Sequence, residues 1–226
     1  MQHSFGKRLI LLMTLLIVTS AAPLCAEETI PVPNLPNAGK SPQDFVPKDW
    51  AVLMSAEGDL NKDGISDTVL VLKNIHETDI DASGVLKYTD APRLLAILFK
   101  TTQGDYRLSA TSAKVILCST CGGVLGDPFQ DLKIDQGVMV IDHYGGSRYR
   151  WGYTHRLRYQ DGDWYLIGKT ETDLDDITLE SNSKDLNLIT GEEVVEKTNS
   201  KGKTTSQHLK VAKKPLQKLS SLDLTK

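Results

Sequence analysis

Short apolar runs separated by glycine-containing turns make up most of the chain. The run RLLAILFKT at 93–101 has the composition of a buried strand and leads through the turn 102–105 into a second extended run at 106–113. The same pattern recurs at 132–143 and at 149–170, where Asp161 and Gly162 separate the two runs. Asp-Gly between two extended segments is a strong hairpin signal. No stretch carries apolar residues at helical spacing over three turns.

These turns recur about every 10 to 15 residues, which is typical of an all-β domain. We therefore predict an all-β fold built mainly from antiparallel hairpins, as a sandwich or a partial propeller-like sheet. At most one or two short helices are expected, near 41–50 or within 172–188. A last hairpin is predicted to pair 193–198 with 204–211.

The segment 149–159 alternates with a period of two, as a strand does when successive side chains point to opposite faces. One face is aromatic and apolar, with Tyr149, Trp151, Tyr153, His155, Leu157 and Tyr159. The other face is basic, with Arg150, Arg156 and Arg158. A two-residue turn at Asp161-Gly162 predicts four cross-strand pairs: Tyr159 with Trp164, Arg158 with Tyr165, Leu157 with Leu166, and Arg156 with Ile167.

The first 26 residues have the pattern of a secretory signal peptide. Lys7 and Arg8 precede an apolar run at 9–18, and small residues follow at 20–22. The run is short for a membrane span, so we expect cleavage after Ala26 and a periplasmic or secreted mature protein that meets the membrane only transiently. Lipid attachment at Cys25 and a retained anchor remain open alternatives.

Residues 27–47 contain five of the nine prolines of the chain. Proline fixes its own backbone and biases the preceding residue to extended forms, so this segment is predicted to be a polyproline-like or disordered leader. The β domain is then expected to span 48–226 and to begin near Trp50.

The net charge of −3 is unevenly distributed along the chain. Residues 196–226 hold eight lysines and carry a net charge of +6, while 27–195 carry −11. The overall charge of −3 argues against nucleic acid as the main partner. We interpret the basic C-terminal segment, 192–226, as a hairpin whose edge is protected by lysines; an anionic partner is the alternative.

One segment has the donor pattern of a calcium loop. Oxygen-bearing side chains recur in 59–67 at Asp59, Asn61, Asp63 and Asp67, with glycine at position six. Calcium takes six to eight oxygen ligands, and a tight loop can direct alternate side chains towards one ion. Gly64 permits the sharp turn, and the carbonyl of Ile65 can supply a further oxygen.

The residues that follow this loop distinguish it from an EF-hand. Leu70 stands where an EF-hand has its bidentate glutamate, and 68–72 have the pattern of a strand. The segment resembles the calcium loop of FG-GAP and VCBS-type repeats, in which a DxNxDGxxD loop joins two strands of a propeller blade or β-sheet. The resemblance covers about fifteen residues and implies Ca2+ held by Asp59, Asn61, Asp63, the Ile65 carbonyl and Asp67. The remaining residues resemble a widespread class of uncharacterised secreted bacterial proteins. A metal-free, Asx-rich turn is the alternative.

A second loop at 79–84 repeats part of the calcium pattern. Asp79, Asp81, Ser83 and Gly84 match its positions, but Lys87 occupies position nine, where a cation is unfavourable. We therefore interpret it as a solvated loop.

Cys118 and Cys121 are the two cysteines that remain after signal cleavage. In an oxidising compartment they are expected to form a disulfide that fixes a tight turn. A redox role and zinc binding are the alternatives, although no second CxxC or nearby histidine pair completes a zinc site.

The segment 142–165 is rich in aromatic and basic residues. Its candidate partner surface comprises His143, Tyr144, Arg148, Arg150, Arg156 and Arg158. Aromatic rings beside arginines can stack on sugars or bind an anionic partner; packing of the aromatics in the core is the alternative. The leading hypothesis is a non-enzymatic, calcium-stabilised β-protein that binds a protein or a cell-envelope glycan. An immunity or inhibitor protein is a specific form of it.

Two other functions remain open from the sequence. One is a secreted calcium-dependent hydrolase that acts on envelope material, with Asp142, His143 and Ser147 as its candidate residues. No nucleophile elbow, HExxH motif or phosphate loop supports that function. The other is a subunit of an envelope assembly that adds its C-terminal hairpin to a partner's sheet.

Overall fold

Twelve β-strands build the protein in the computed structural model, which describes residues 29–225. The strands are β1 (Ala38–Gly39), β2 (Trp50–Gly58), β3 (Asp67–Asn74), β4 (Leu94–Lys100), β5 (Tyr106–Ser112), β6 (Phe129–Asp135), β7 (Val138–Gly146), β8 (Tyr149–Gln160), β9 (Asp163–Asp175), β10 (Ser181–Asn187), β11 (Glu192–Thr198) and β12 (Thr204–Lys210). The predicted signal peptide, 1–26, lies outside the described residues.

Two antiparallel sheets contain all of these strands. A five-stranded sheet has the order β1-β5-β4-β3-β2, and a seven-stranded sheet has the order β12-β11-β10-β9-β8-β7-β6. The predicted all-β, antiparallel fold is therefore confirmed. Within the described part of the chain, helical structure is limited to 3-10 turns at Pro42–Phe45, Gly123–Leu125 and Leu219–Ser221. The first lies where a helix was expected; the helix considered within 172–188 is wrong, because that region forms the end of β9 and β10.

The main core lies between the two sheets, which makes the fold a sandwich. The five-stranded sheet contributes Val69, Val71, Leu95 and Ile97, and the seven-stranded sheet contributes Met139, Ile141, Leu157, Trp164 and Leu166. All of these side chains are at most 6% exposed. Their burial supplies the main driving force for bringing the sheets together.

A second core covers the opposite face of the five-stranded sheet. Leu70, Leu72, Ala96 and Leu98 pack there with Ile30, Phe45 and Trp50. Burial on both faces explains why β3 and β4 are nearly continuous apolar runs. It also corrects the interpretation of 27–47 as a leader that precedes the domain: Phe45 is fully buried, and β1 pairs with β5, so the folded part begins before Trp50.

The β8–β9 hairpin has the predicted turn and most of the predicted register. Asp161 and Gly162 have φ values of 52° and 80°, as a type I′ turn requires. Three predicted pairs form: Tyr159 with Trp164, Arg158 with Tyr165, and Leu157 with Leu166. The fourth is wrong. A β-bulge shifts the register between Arg156 and Leu157. Arg156 therefore lies opposite Gly168 instead of Ile167.

The C-terminal segment combines an exposed hairpin with a strap that returns to the core. β11 and β12 pair as predicted, and every residue of β12 is exposed. Residues 211–225, here called the C-terminal strap, then cross back over the seven-stranded sheet. Leu219 and Leu222 enter the main core, and the Leu166 amide donates to the carbonyl of Gln217 at 2.9 Å. The basic segment 192–226 is therefore more than an edge hairpin, since its last part completes the sandwich.

Arg93 anchors the loops at one end of the sandwich. Its side chain is fully buried, and its guanidinium donates to both carboxylate oxygens of Glu77 at 3.2 and 2.9 Å. It also donates to Asp127 at 2.7 and 2.5 Å and to the carbonyl of Leu117 at 3.4 Å. Arg93 precedes β4, whereas its partners lie on loops that follow β3 and β5. One side chain thus connects three separate parts of the chain.

We predict that Arg93→Ala lowers the free energy of unfolding by about 3–5 kcal/mol, because it leaves two carboxylates without their buried cation. Urea denaturation measures the change. The control is Arg107→Ala on β5, where the side chain is exposed and the expected change is within about 0.5 kcal/mol. Equal effects of the two substitutions would contradict the anchoring role of Arg93.

Candidate functional site

The loop between β2 and β3 turns its polar side chains onto its own backbone. The two carboxylate oxygens of Asp59 accept the amides of Asp63 and Gly64 at 3.1 and 3.0 Å. Asn61 Oδ1 accepts the Asp63 amide at 3.0 Å, and Asp63 Oδ1 accepts the Ile65 amide at 2.8 Å. Gly64 has φ = 85°, a left-handed conformation that favours glycine. The side-chain oxygens at 59, 61 and 63 therefore lie within one tight turn.

Asp67 connects this loop to the sheet. Its side chain is fully buried, and it accepts the Leu60 amide at 3.0 Å and the Lys100 amide at 2.9 Å. Burial raises the pKa of Asp67 above its ordinary value of 3.8, in spite of these hydrogen bonds, and the charge of Asp63 acts in the same direction. Ionised Asp67 is thus held in an environment that disfavours its negative charge.

The donors of this loop suit a hard cation, because Asp59, Asn61, Asp63, Asp67 and the Ile65 carbonyl all offer oxygen. A cation would also offset the cost of the buried Asp67 carboxylate. Within residues 29–225, three side chains of metal-ligating type, Asp90, Cys118 and Cys121, have donor atoms within 4.8 Å of one another, but the two cysteines are joined in a disulfide and offer no thiolate. The carboxylates of Asp59, Asp63 and Asp67 do not all come within that distance of one another, and their oxygens accept backbone amides.

In the second loop, 79–84, the Asp81 side chain accepts most of the side-chain hydrogen bonds, and an isolated bridge joins Ile80 to Leu86. Asp81 Oδ1 accepts the Ser83 hydroxyl at 2.6 Å and the amides of Ser83 and Val85 at 2.8 and 3.0 Å. The Ser83 hydroxyl and these amides lower the pKa of Asp81. Asp79 pairs with His76 at 3.0 Å. Local hydrogen bonds therefore account for this loop, as expected of a solvated turn.

The disulfide between Cys118 and Cys121 is formed, with a Cα–Cα distance of 5.1 Å. Cys118 is buried and Cys121 is exposed. The Thr120 hydroxyl next to the bridge donates to the carbonyl of Thr89. The bridge therefore closes a turn that is joined to the neighbouring loop.

His143 is the first of the candidate partner-surface residues that the structure corrects. Its side chain is 3% exposed, and its Nε2 accepts the Leu117 amide at 3.2 Å. Burial, with the nearby charges of His155 and Arg93, lowers the pKa of His143 to about 4. His143 is thus a neutral core side chain, which sequence alternation could not reveal because the covering residue, Leu117, lies on a distant loop.

Asp142, His143 and Ser147 do not form a hydrogen-bonded catalytic set in the described structure. Asp142 Oδ1 accepts the Thr154 hydroxyl at 2.5 Å, and the acceptor nitrogen of His143 is occupied by the Leu117 amide. The carboxylate and the imidazole also lie on opposite faces of β7, since adjacent strand residues point in opposite directions. The geometry gives the proposed triad no support.

The arginines of the candidate surface lie close together, but each has a partner. Arg148 pairs with Asp175 at 2.8 Å, Arg150 with Asp176 at 2.5 Å, and Arg156 with Asp185 at 2.9 Å. Arg158 donates to the Gln160 amide oxygen. Tyr144 is half-buried over Gly152 on the face that carries Arg150, Arg156 and Arg158. The predicted basic face is consequently mixed in charge, because β9, the turn after it and β10 supply acidic partners far along the chain.

The aromatic face of β8 divides into a buried and an exposed part. Leu157 is fully buried in the core, whereas Tyr149 is 66% exposed and Tyr153 is 36% exposed. Trp151 stacks on Tyr153 with 5.0 Å between ring centroids and an interplanar angle of 22°. A Cβ on Gly145 would lie 2.3 Å from the Trp151 ring, so a glycine is required for the ring to lie there. We call Tyr149, Trp151 and Tyr153 the aromatic strip.

Comparison with known proteins found no matching family model, curated protein or solved structure. Across residues 29–225, no helix has the length and apolar character needed to cross a bilayer. Function is therefore inferred below from the 59–67 loop, the aromatic strip and the surrounding charges.

We predict that protonation of His143 and His155 destabilises the fold in mild acid. Burial lowers the pKa of each to about 4 from 6.5, so the unfolded chain binds more protons between these pH values. Stability is complete above pH 6.5 and is lost as pH falls towards 4, by up to about 3 kcal/mol per histidine at 1.36 kcal/mol per pKa unit.

Urea denaturation between pH 7 and 4 tests this prediction in a double variant, His143→Gln with His155→Gln. The variant should lose less stability than the wild type over this range. His208→Gln, at an exposed position of β12, should leave the pH dependence unchanged. Parallel pH profiles for the wild type and the double variant would contradict the prediction.

Proposed function

We propose that this chain is a non-enzymatic, secreted or periplasmic β-sandwich that holds one structural calcium ion and binds cell-envelope glycan through the aromatic strip. The observation that carries the glycan proposal is the exposure of Tyr149 and Tyr153 beside the stacked Trp151 on an uncovered part of the sheet. The secreted location rests on the signal pattern of residues 1–26.

The case for calcium rests on the 59–67 loop and its buried carboxylate. Asp67 is fully buried with a raised pKa, and Asp63 lies near enough to contribute to that shift. A bound divalent cation would relieve both the desolvation of Asp67 and its repulsion with Asp63. The loop also contacts the second sheet, because a Cβ on Gly137 would lie 3.1 Å from the Asp59 carbonyl oxygen. Calcium at this loop would therefore stabilise the junction of the two sheets.

The case for a glycan rests on the kind of surface that the strip presents. Side chains two residues apart on a strand lie on one face about 6.5–7 Å apart, and Tyr149, Trp151 and Tyr153 are spaced in this way. Arg148 lies over the Tyr149 ring at 5.1 Å and is also paired with Asp175. An aromatic surface bordered by neutralised charges suits the apolar faces and hydroxyls of a sugar better than it suits a strongly charged partner.

We predict that millimolar calcium raises the melting temperature of the mature protein above its value in chelator. A ligand at 100 times its Kd stabilises the native state by about 2.7 kcal/mol, which is about 5–10 °C for a domain of this size. Asp63→Ala should abolish the difference, because it removes a central donor. Differential scanning calorimetry, with and without calcium, measures both.

Asp81→Ala is the matched control, since Asp81 occupies a similar Asx turn in the loop at 79–84. It should lower the baseline stability but preserve the response to calcium. An unchanged melting temperature in calcium, together with no calcium in the purified protein by elemental analysis, would end the calcium proposal.

We predict that Trp151→Ala and Tyr149→Ala each weaken co-sedimentation with purified peptidoglycan by about tenfold, because removing a stacking ring costs on the order of 1–2 kcal/mol. Arg156→Ala, on the opposite face of β8, is the matched control and should bind normally. Wild-type protein that does not sediment with peptidoglycan, but retains a protein from envelope extract through this strip, would replace the glycan with a protein partner.

A further inference from the structure

A cleft of about 920 Å3 lies between the seven-stranded sheet and the C-terminal strap. Residues of β8, β9 and β10 line one side, and strap residues 211–217 and 222–224 line the other. This volume is within the range of about 300–1,000 Å3 that small-molecule sites occupy. The aromatic strip shares only Tyr153 with the cleft.

The cleft is kept open by the way in which the strap is attached. The Val211 amide donates to the Gly191 carbonyl at 2.9 Å at one end, and the Gln217 carbonyl accepts the Leu166 amide at 2.9 Å at the other. Between these points, no backbone hydrogen bond joins the strap to the rest of the described structure. Residues 212–216 of the strap therefore cross the sheet without pairing to it, and an isolated bridge between Lys218 and Tyr165 follows them.

The interior of the cleft is mainly aliphatic. Six leucines line it: Leu166, Leu186, Leu188, Leu216, Leu222 and Leu224. Leu166 and Leu222 are buried in the main core, whereas Leu186, Leu188, Leu216 and Leu224 are only half-buried. Folding has thus left aliphatic surface from both the sheet and the strap facing the cleft. An aliphatic ligand would remove this surface from water.

Most polar groups of the cleft are neutral or already paired. Lys169 donates to Glu171 at 2.5 Å, and Asp223 lies 3.6 Å from Lys114. Burial lowers the pKa of His155 to about 4, so its ring is uncharged at neutral pH. Nδ1 of His155 is buried and has no hydrogen-bond partner within residues 29–225. These groups leave the inner part of the cleft with no net charge.

Two cations on the strap remain available. Lys213 and Lys214 are exposed, line the cleft, and have no ion-pair partner among the residues that the structure describes. Asp173 also lines the cleft and has no ion pair among the described residues. It lies opposite Trp151 in the β8–β9 register, at the end of the cleft next to the aromatic strip. The strap side of the cleft is therefore cationic, while its interior is aliphatic.

We propose that the cleft binds a free amphipathic anion, a single aliphatic chain whose carboxylate is held by Lys213 and Lys214 while the chain lies on the leucines. The aliphatic interior favours a hydrocarbon chain, and the two neighbouring lysines favour an anionic group at one end of that chain. Neither sugar rings nor polar peptides would complement six leucines. This site shares only Tyr153 with the aromatic strip, and the proposal does not depend on calcium or glycan binding.

Isothermal titration of the full mature protein with decanoate and with 1-decanol tests the proposal. Decanoate should bind with one-to-one stoichiometry in the micromolar range, and 1-decanol more weakly. The double variant Lys213→Gln with Lys214→Gln should weaken decanoate binding at least tenfold and leave 1-decanol binding unchanged. The matched control, Lys201→Gln with Lys203→Gln, removes the same charge from the turn between β11 and β12 and should bind decanoate as the wild type does.

A second variant, Leu216→Asn, places a polar group among the half-buried leucines of the cleft and should weaken both ligands. Unchanged circular dichroism and unfolding midpoints establish that the variants are folded. Millimolar or absent decanoate binding would overturn the proposal, as would equal weakening by the two lysine pairs. Binding to anionic phospholipid vesicles without binding of free decanoate would also overturn it, by assigning the lysines to a membrane surface. Trp151→Ala should not alter decanoate binding, so the glycan and amphiphile proposals fail independently.

Discussion

The buried guanidinium of Arg93 is the interaction on which one end of the molecule depends. A fully desolvated cation is tolerated only with compensating charge and hydrogen bonds, and Glu77 and Asp127 supply both. These two acids lie on separate irregular loops, and their hydrogen bonds to Arg93 hold the two loops together. The same contact positions Leu117, whose amide then occupies the nitrogen of His143. Burial and the charge of His155 lower the pKa of that histidine, and the charge of Arg93 adds to the same shift.

The two sheets differ in strand length and strand number, and this difference leaves exposed the surfaces to which we assign function. β8 and β9 have 12 and 13 residues, whereas β3 and β4 of the opposing sheet have 8 and 7. The seven-stranded sheet therefore extends beyond its partner, both along its strands and across β10 to β12. The aromatic strip lies on the uncovered strand ends, and the cleft lies where the strap covers part of the remaining face. Both candidate sites are places where sandwich packing stops.

Local patterns predicted the elements well, because the forces behind them act over a few residues. Asp161-Gly162 specifies its turn through left-handed backbone conformations, and the register of Tyr159 and Leu157 follows from that turn. The predicted pairing fails at the next residue, Arg156. The cause is a bulge at Ile167 in β9, which the alternation of β8 does not indicate. The proline-rich segment 27–47 also differs from its prediction, because residues distant in the chain determine its packing. Phe45 and Ile30 lie in a proline-rich segment, and their burial depends on the outer face of the five-stranded sheet, against which they pack.

The sequence by itself determined the β class, the hairpins, the oxygen-rich calcium-type loop and the cysteine pair, all of which depend on residues close together in the chain. Only the tertiary structure decided which charged and aromatic groups are available. Asp175, Asp176 and Asp185 neutralise arginines some 25 to 30 residues earlier, Leu117 covers His143, and the strap turns a sheet face into a cleft. Pairing and burial are properties of neighbours in space, and distant segments become neighbours only when the sheets have packed.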